Sequence, residues 1–326
     1  VFDILAEAGF DTDKIQGSGH RGVQGGGYFP ESTVVTDETL SWVREVAPLA
    51  PLHNYAEADV IERCREMFPS IGNLIVADTS CHYNMPEKAW RYALPRDVVD
   101  KLHIRKYGAH GTSHRYIWKE TSEFLKGDVH KLVSCHLGSG ASLSAIEDGH
   151  DMDTTMGLTP LDGLIMGTRC GTIDPATVCY LQRVGGYSVD EVDTMMNKQS
   201  GLLALSGVSS DSRDIEAGAE KGDKNCQMAL EMFYYRTSQL IAEMAQSMHG
   251  FDTMVFTAGI GENSAEMRYG VAHELEWLGV KIDPEKNAVR SGDPRIISTE
   301  DSSVKVLVVP TNEELMIALD VEALLG

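Results

Sequence analysis

Four side chains that can carry charge lie in small-residue loops or directly after a short apolar run: His53, Asp78, His110 and Arg169. Any one of them alone is more often a structural residue than a catalytic one. Together, in a chain with a formal net charge of -21, they indicate a site that concentrates cationic donors around an anion. Phosphoryl transfer needs such donors around the transferred group, and carboxylates for a metal ion.

A fifth candidate, Arg21, lies in a glycine-rich segment at residues 17–27. Residues 17–22 match the dinucleotide pattern G-x-G-x-x-G, but no buried strand precedes them and no helix follows, so we reject that function. Glycines let the backbone approach an anion, and arginine presents a forked donor to it. The segment is equally consistent with a glycine-rich surface loop.

Two further turns contain the Gly-x-Gly pattern. The first, Gly138 to Gly140, follows one apolar run and precedes another, which predicts a strand-turn-strand cradle whose backbone N–H groups bind phosphate; an ordinary hairpin is the alternative. The second, at residues 258–263, precedes a helical pattern and suits a base and ribose, and a plain strand-to-helix turn is the alternative. No G-x-x-x-x-G-K-[ST] motif occurs.

These residues must be positioned by strands and helices that the hydrophobic pattern predicts. Short runs rich in Val, Ile and Leu at 74–77, 131–137, 254–257 and 304–309 predict buried strands. An apolar stripe predicts a helix from about Cys226 to His249. Strands that alternate with helices indicate an α/β fold, in which ligands bind where strands end.

Composition limits the remaining possibilities. The 326 residues are enough for two lobes, and the acidic net charge argues against a nucleic-acid partner. No run is apolar and long enough to cross a membrane. Six scattered cysteines without a metal-like spacing indicate reduced thiols of a cytoplasmic protein. The chain opens on Val1 in what reads as a helix already under way, so we expect the N-terminal part of the protein to be missing.

Taken together and in this order, the motifs resemble those of acetate kinase and the wider acetokinase family. The resemblance runs from about Gly19 to the last helix. The matching segments are residues 19–21, 50–54, 78–79, 105–114, 135–138, 156–161, 166–169, 209–214, 257–263 and 310–314.

This resemblance implies a two-lobed fold similar to that of actin, Hsp70 and the sugar kinases, with a nucleotide cleft between the lobes. Residues 1–78 and 314–326 would form an N-terminal lobe that lacks its first strands, and residues 79–313 a lobe for nucleotide binding and dimerisation. The implied reaction is reversible transfer of a phosphoryl group from ATP to acetate, with Mg²⁺ or Mn²⁺. The family is usually a homodimer, and neither a nucleic-acid nor a membrane partner is expected.

The resemblance also implies a role for each matching residue. The catalytic residues would be Arg21, Asp78, His110 and Arg169, with Asp78 and Glu313 as metal ligands. Removal of Arg21 or Arg169 is expected to lower mainly the rate. The acyl substrate would contact Arg21, Val23, Leu52, His53, Ala109 and Pro160. The nucleotide would contact His136, Gly138, Ser139, Gly140, Asp211, Ser212, Arg213, Gly259, Ile260, Gly261 and Asn263.

The sequence departs from the family pattern at several positions. Ala109 replaces a usual Phe, which leaves room for propionate or butyrate, so a propionate or butyrate kinase is an alternative. Gln24 replaces a usual His, Ser139 a common Asn and Ser212 a usual aromatic residue. The family's first phosphate loop, Asn-x-Gly-Ser-Ser-Ser, is absent from this sequence. A catalytically impaired nucleotide-binding protein of the same fold is therefore a second alternative.

Overall fold

The computed structural model describes Gly9, Asp11, residues 14–50 and residues 53–326. Elements are numbered along this part of the chain. The strands are β1 (Gly17–Gly22), β2 (Thr33–Val34), β3 (Gly72–Ala77), β4 (Lys131–Leu137), β5 (Ala141–Glu147), β6 (His150–Thr154), β7 (Thr253–Thr257), β8 (Arg295–Ile296) and β9 (Lys305–Val308). The helices are α1 (Asp37–Glu45), α2 (Asn54–Met67), α3 (Glu87–Trp90), α4 (Arg96–Lys101), α5 (Gly111–Phe124), α6 (Ala176–Arg183), α7 (Val189–Lys198), α8 (Gly201–Ser206), α9 (Ser212–Glu220), α10 (Lys224–Ser247), α11 (Ala258–Asn263), α12 (Ala265–His273), α13 (Pro284–Ala288) and α14 (Glu313–Leu325).

The described residues divide into two compact units. The first unit consists of the described residues within Val1–Tyr83, Ala109–Thr112 and Asn312–Gly326. The second unit consists of those within Asn84–Gly108 and Ser113–Thr311. The lobe boundaries predicted above, and the functions given to each lobe, stay predictions.

The first unit is built on a three-stranded sheet in the order β1-β3-β2. Strands β1 and β3 are parallel, with Gly17 opposite Gly72 and Gly22 opposite Ala77. Helices α1 and α2 enclose a core on one side of the sheet, where Ile75 and Ala77 of β3 pack with Leu40 and Ile61. The two parallel strands therefore end at the same edge, which places the residues after Gly22 and Ala77 next to each other.

Helix α14 packs on the other side of this sheet, and it does so closely because glycines line its contact. A Cβ atom added at Gly19 would overlap the side chains of Ile317 and Val321, and one at Gly17 or Gly72 would crowd the same helix. The glycines of β1 thus serve helix packing. This role is consistent with our rejection of residues 17–22 as a dinucleotide-binding motif. The alternative interpretation of the segment as a surface loop is wrong for these residues, because they form strand β1.

The second unit contains a six-stranded sheet in the order β6-β5-β4-β7-β9-β8. The central strands β4, β7 and β9 are parallel to one another, whereas β5, β6 and β8 run antiparallel to their neighbours. Helix α10 contacts β4, β5 and β6, and it buries Phe233, Leu240, Ile241 and Met244. The carboxyl ends of β4, β7 and β9 meet at one edge, since His136 lies opposite Thr257 in the register.

The four strands and the long helix predicted from the hydrophobic pattern are confirmed as β3, β4, β7, β9 and α10. The strand-turn-strand form around Gly138 is also confirmed, because β4 and β5 pair antiparallel across it. The expectation about the helix at Val1 lies outside the described residues. None of the described helices is both long enough and apolar enough to cross a membrane.

Replacing Gly19 with Ala tests the packing of α14. A methyl group there must displace Ile317, so we expect a loss of about 1–3 kcal/mol, the usual range for overpacking. The urea midpoint of unfolding measures it. Gly27→Ala is the matched control in the same unit, because a Cβ atom at Gly27 meets nothing within 4 Å. Equal midpoints for the two variants would contradict this packing.

Candidate functional site

Arg21 and Asp78 lie at the shared edge where β1 and β3 end. The backbone N–H of Asp78 donates to the carbonyl of Gly22, which continues the pairing of the two strands. The guanidinium of Arg21 then binds the carboxylate of Asp78 through two nitrogens, Nε to Oδ1 at 3.2 Å and Nη2 to Oδ2 at 2.6 Å. Asp78 is 1% exposed, so this fork balances a buried negative charge.

Glu313 adds a second carboxylate to this pair. It is the first residue of α14, and its Oε2 lies 3.7 Å from Nε of Arg21. Burial raises the pKa of Glu313 above its ordinary value; Arg21 lowers it, and Asp78 raises it further. The hydroxyl of Thr112 donates to Oδ1 of Asp78 at 3.2 Å. One arginine thus faces two carboxylates, and the structure brings together three of the predicted residues.

His110 lies one residue before α5 in a strained backbone conformation. Its φ of 57° is in the left-handed region, which residues other than glycine rarely adopt. The following Gly111 donates its N–H to the carbonyl of Asp78 at 2.9 Å. Strain of this kind is kept at functional sites when the surroundings impose it. The contact between Gly111 and Asp78 therefore connects the His110 turn to the Arg21–Asp78 pair.

The residues predicted to contact the acyl group are placed unevenly. Val23 is half-buried and His53, directly before α2, is exposed, whereas Leu52 lies outside the described residues. Ala109 is only 3% exposed, and its carbonyl oxygen lies 3.0 Å from Nε2 of His82. The methyl group of Ala109 therefore does not line open space in this structure. The prediction that it widens the acyl pocket stays untested.

Gln24, which the family resemblance predicts to stand in place of a histidine, has a structural role. Its side-chain oxygen accepts the N–H of Gly26 at 2.9 Å. Its backbone is held by Asn54, whose Oδ1 accepts the N–H of Gln24 and whose Nδ2 donates to its carbonyl. These bonds fix the loop that follows Arg21 against the start of α2.

Glu57 is a residue of this region that sequence reasoning missed. Its Oε1 is buried without a hydrogen-bond partner in the described residues, and its carboxyl group lies where a Cβ atom on Gly22 would point. Burial raises the pKa of Glu57 to about 8, with a further rise from the charge of Asp78 and an opposing effect from Arg21. No sequence signal separates it from the other acidic residues of α2. Because its pKa is about 8, the carboxyl group of Glu57 is mostly protonated below that pH.

The second unit holds the predicted phosphate turn. Within it, Gly138 donates its N–H to the carbonyl of Gly140 at 3.0 Å, so that amide closes the turn. The carbonyl of Ser139 accepts the N–H of Gly167 at 3.2 Å, which joins the phosphate turn to the loop that carries Arg169. Phosphate binding by the turn's amides stays a prediction, and in this structure the Gly138 amide is already engaged.

Arg169 has no carboxylate within ion-pair distance in the part of the chain that the structure describes. Its Nη1 donates to the carbonyl of Pro160 at 3.0 Å and contacts Sδ of Met166 at 3.5 Å. Burial lowers the pKa of Arg169, and no nearby carboxylate offsets that effect. A half-buried guanidinium bound only to neutral groups is suited to an incoming anion.

The predicted nucleotide turn forms the start of α11. Ala258 has a φ of 65°, and Oε1 of Glu262 accepts its N–H at 2.9 Å. The same oxygen accepts the N–H of Thr311 at 3.1 Å, and Nδ2 of Asn263 donates to the carbonyl of Gly259 at 2.9 Å. Gly261 is buried and Ile260 half-buried. The turn is thus held rigidly by its own polar side chains.

The other predicted nucleotide residues lie at the start of α9. Asp211 caps this helix by accepting the N–H of Arg213. It also forms an ion pair with the Arg213 side chain, which lowers the pKa of Asp211 to about 2. Ser212, which the family resemblance predicts to stand in place of an aromatic residue, is buried. Arg213 is exposed and Asp211 is half-buried, so their ion pair contributes little to stability.

Comparison with known proteins gives one consistent family. The model of the acetokinase family matches residues 2–319. Acetate kinase 2 of Clostridium perfringens is 49% identical over 310 residues, which cover 94% of this chain and 78% of the relative. The acetate kinase of Alkaliphilus metalliredigens is 47% identical over 315 residues, which cover 96% of this chain and 79% of that protein.

Solved structures agree with these relatives. The acetate kinase of Porphyromonas gingivalis superposes with a TM-score of 0.95 at 38% identity, covering 100% of this chain and 83% of that one. A propionate kinase of Francisella tularensis superposes with a TM-score of 0.92 at 41% identity, covering 97% and 81%. The α/β class predicted from the hydrophobic pattern is confirmed, and so is the actin-like sugar-kinase type of fold that the family resemblance implies.

Glu57 gives a pH-dependent prediction. Folding favours its protonated form, so its contribution to stability is complete below its ordinary pKa of 4.5 and is lost as the pH rises to about 8. Glu57→Gln removes that loss. At pH 9 we expect the variant to exceed the wild type in stability by a few kcal/mol, since one pKa unit corresponds to about 1.4 kcal/mol.

Urea unfolding at pH 5 and pH 9 measures this difference. Glu66→Gln is the control on the same helix, because Glu66 is exposed and pairs with Arg63. Parallel stability curves for the wild type and Glu57→Gln across that range would contradict the assignment.

Proposed function

The chain belongs to the acetokinase family, whose members are phosphotransferases that act on a carboxyl group, and from that premise we propose that it is an acetate kinase. It would transfer the terminal phosphoryl group of ATP to acetate, giving acetyl phosphate and ADP, and would also run in reverse. The observation that carries the proposal is Arg21 held between Asp78 and Glu313 at the end of β1 and β3. Cation and carboxylates in one cluster are what phosphoryl transfer requires.

Asp78 and Glu313 fit a divalent cation that comes with the nucleotide. Carboxylate oxygens are the ligands that Mg²⁺ prefers, and Mg²⁺ usually takes only one or two of them together with water and substrate phosphates. No group of three or more His, Cys, Asp or Glu side chains suited to a metal occurs among the described residues. Bound Mg²⁺, or Mn²⁺, would neutralise charge on the phosphates.

The transferred group is assigned to the cationic side chains. Arg21 and Arg169 would bind its oxygens, and Arg169 is suited to this because its described contacts are with neutral groups. His110 would donate a hydrogen bond to the group in the transition state. His53 is assigned to the acyl substrate and His136 to the nucleotide, as the family resemblance implies. Because this reaction needs little covalent chemistry from the protein, these residues would act by positioning and by charge stabilisation.

The nucleotide would be bound by the second unit. Gly138, Ser139 and Gly140 are assigned to its phosphates, and the start of α11 to its base and ribose. The exposed backbone at Gly259, where no neighbouring atom lies within 4 Å of an added Cβ, supports close approach of a flat ring. Asp211, half-buried, and Arg213, exposed, lie at the start of α9 and would add polar contacts to the adenosine.

Propionate kinase is the second candidate, and two observations favour it. A solved propionate kinase is 41% identical to this chain, and the family resemblance implies that Ala109 stands where a larger residue is usual. We give acetate priority because the methyl group of Ala109 is buried rather than facing open space. A nucleotide-binding protein with impaired catalysis would be indicated if no acyl phosphate formed from any acid.

We further propose that the protein is a cytoplasmic homodimer. All six cysteines are free, which suits a reducing compartment. The dimer is proposed from the family resemblance, and sedimentation equilibrium of the full chain measures it.

Acyl preference tests this proposal directly. Formation of acyl phosphate from ATP and acetate, propionate or butyrate can be trapped as the hydroxamate. We expect acetate to give the highest kcat/KM. Val23→Ala, which enlarges the proposed pocket, should raise the ratio of propionate to acetate about tenfold, since one methylene group is worth about 10–200-fold in a fitted pocket. Val34→Ala, on exposed β2, should leave the ratio unchanged.

Acetate kinase activity would be contradicted if the wild type gave more acyl phosphate from propionate than from acetate. An unchanged ratio in Val23→Ala would remove Val23 from the acyl site.

A further inference from the structure

A line of hydrogen bonds joins the ends of the three parallel strands in the second unit. Nδ1 of His136, near the end of β4, lies 2.8 Å from Oγ of Ser113. Oγ of Ser113 lies 2.8 Å from Oγ1 of Thr311, which follows β9. The backbone N–H of Thr311 donates to Glu262, whose carboxylate also holds the turn after β7. Ser113 therefore lies at the centre of a frame that connects the phosphate turn with the nucleotide turn.

The hydrogen bond between Ser113 and His136 determines which ring nitrogen of His136 carries the proton, and so whether Nε2 is a donor or an acceptor. A neutral histidine carries one N–H, and the partner of one ring nitrogen determines whether the other is a donor or an acceptor. The other nitrogen of His136, Nε2, faces Gly138, since a Cβ atom added there would be 4.0 Å from it. An anion at that turn requires a donor.

We propose that Ser113 is a positioning residue, which donates to Nδ1 of His136 and thereby holds Nε2–H directed at the phosphate turn. Thr311 supports this polarity by donating its hydroxyl proton to Ser113, so that the single proton of Ser113 is available to His136. The inference rests on the proposed nucleotide site, because it assigns the donor to nucleotide phosphate. Ser113 itself touches no substrate in this account and acts through His136.

A second histidine in the same region, His114, also has serine hydroxyls as partners and provides a control for this bond. His114, the neighbour of Ser113 on α5, is fully buried, and its two ring nitrogens lie 2.8 Å from the hydroxyls of Ser134 and Ser142. Its ring centroid is 6.2 Å from that of His136. Ser113→Ala and Ser134→Ala therefore each remove a buried serine–histidine bond of the same length from the same region. Only the first reaches His136.

Two measurements on the full chain test the proposal. Long-range proton–nitrogen correlation spectra of histidine-labelled protein report which nitrogen is protonated, with His136→Gln identifying the His136 signal. Calorimetry gives the Kd for MgADP. We expect the wild type to show the Nε2–H form at His136. In Ser113→Ala we expect both tautomers and a Kd raised about tenfold, the effect of one buried hydrogen bond, whereas Ser134→Ala changes the Kd less than twofold.

Thr311→Val keeps the test decisive if Ser113→Ala does not fold. It has nearly the same shape, leaves Ser113 in place and should also produce mixed tautomers at His136. The proposal is overturned if the wild type shows the Nδ1–H form, if the two serine variants change the Kd equally, or if Thr311→Val leaves the tautomer unchanged. If the wild type binds no MgADP, the proposed function fails, while the spectra still decide the role of Ser113.

Discussion

The two-pronged bond between Arg21 and Asp78 is the interaction on which the first unit's site depends. It forms because β1 and β3 are parallel and in a register that ends both at one edge, and because Asp78 continues the ladder by donating to Gly22. Gly17 and Gly19 lie on the same face of β1 as Arg21 and let α14 approach, and this helix begins with the carboxylate of Glu313. The close packing that Gly17 and Gly19 permit therefore determines where α14 places the carboxylate of Glu313.

The two arginines assigned to the transferred group have different surroundings. In the first unit, Arg21 is balanced by buried Asp78 and by Glu313. In the second unit, Arg169 contacts only neutral groups among the described residues, and burial without a counter-charge destabilises it. A guanidinium left in this condition is stabilised by binding an anion, which agrees with the proposed transfer of a phosphoryl group in a strongly acidic chain.

Sequence reasoning recovered the elements with a strong hydrophobic signal and missed those built for close packing. Runs of Val, Ile and Leu revealed β3, β4, β7 and β9, since buried parallel strands are apolar throughout. Strand β1 was missed because Gly17 and Gly19 resemble a loop when the helix against them is unknown. Glu57 was missed because burial of one carboxyl oxygen depends on tertiary contacts. The family resemblance identified Arg21, Asp78 and Glu313 as site residues, but only the structure shows that they contact one another.

The measurement that tests the central claim most directly is the rate of acyl hydroxamate formation from MgATP and acetate by Arg21→Ala and Arg21→Lys. If Arg21 binds the transferred group, Arg21→Ala lowers kcat about a hundred- to a thousand-fold. Arg21→Lys recovers only part of that loss, because an ammonium group keeps the charge without the fork. Near-normal turnover in Arg21→Ala, with the fold intact, would contradict the account.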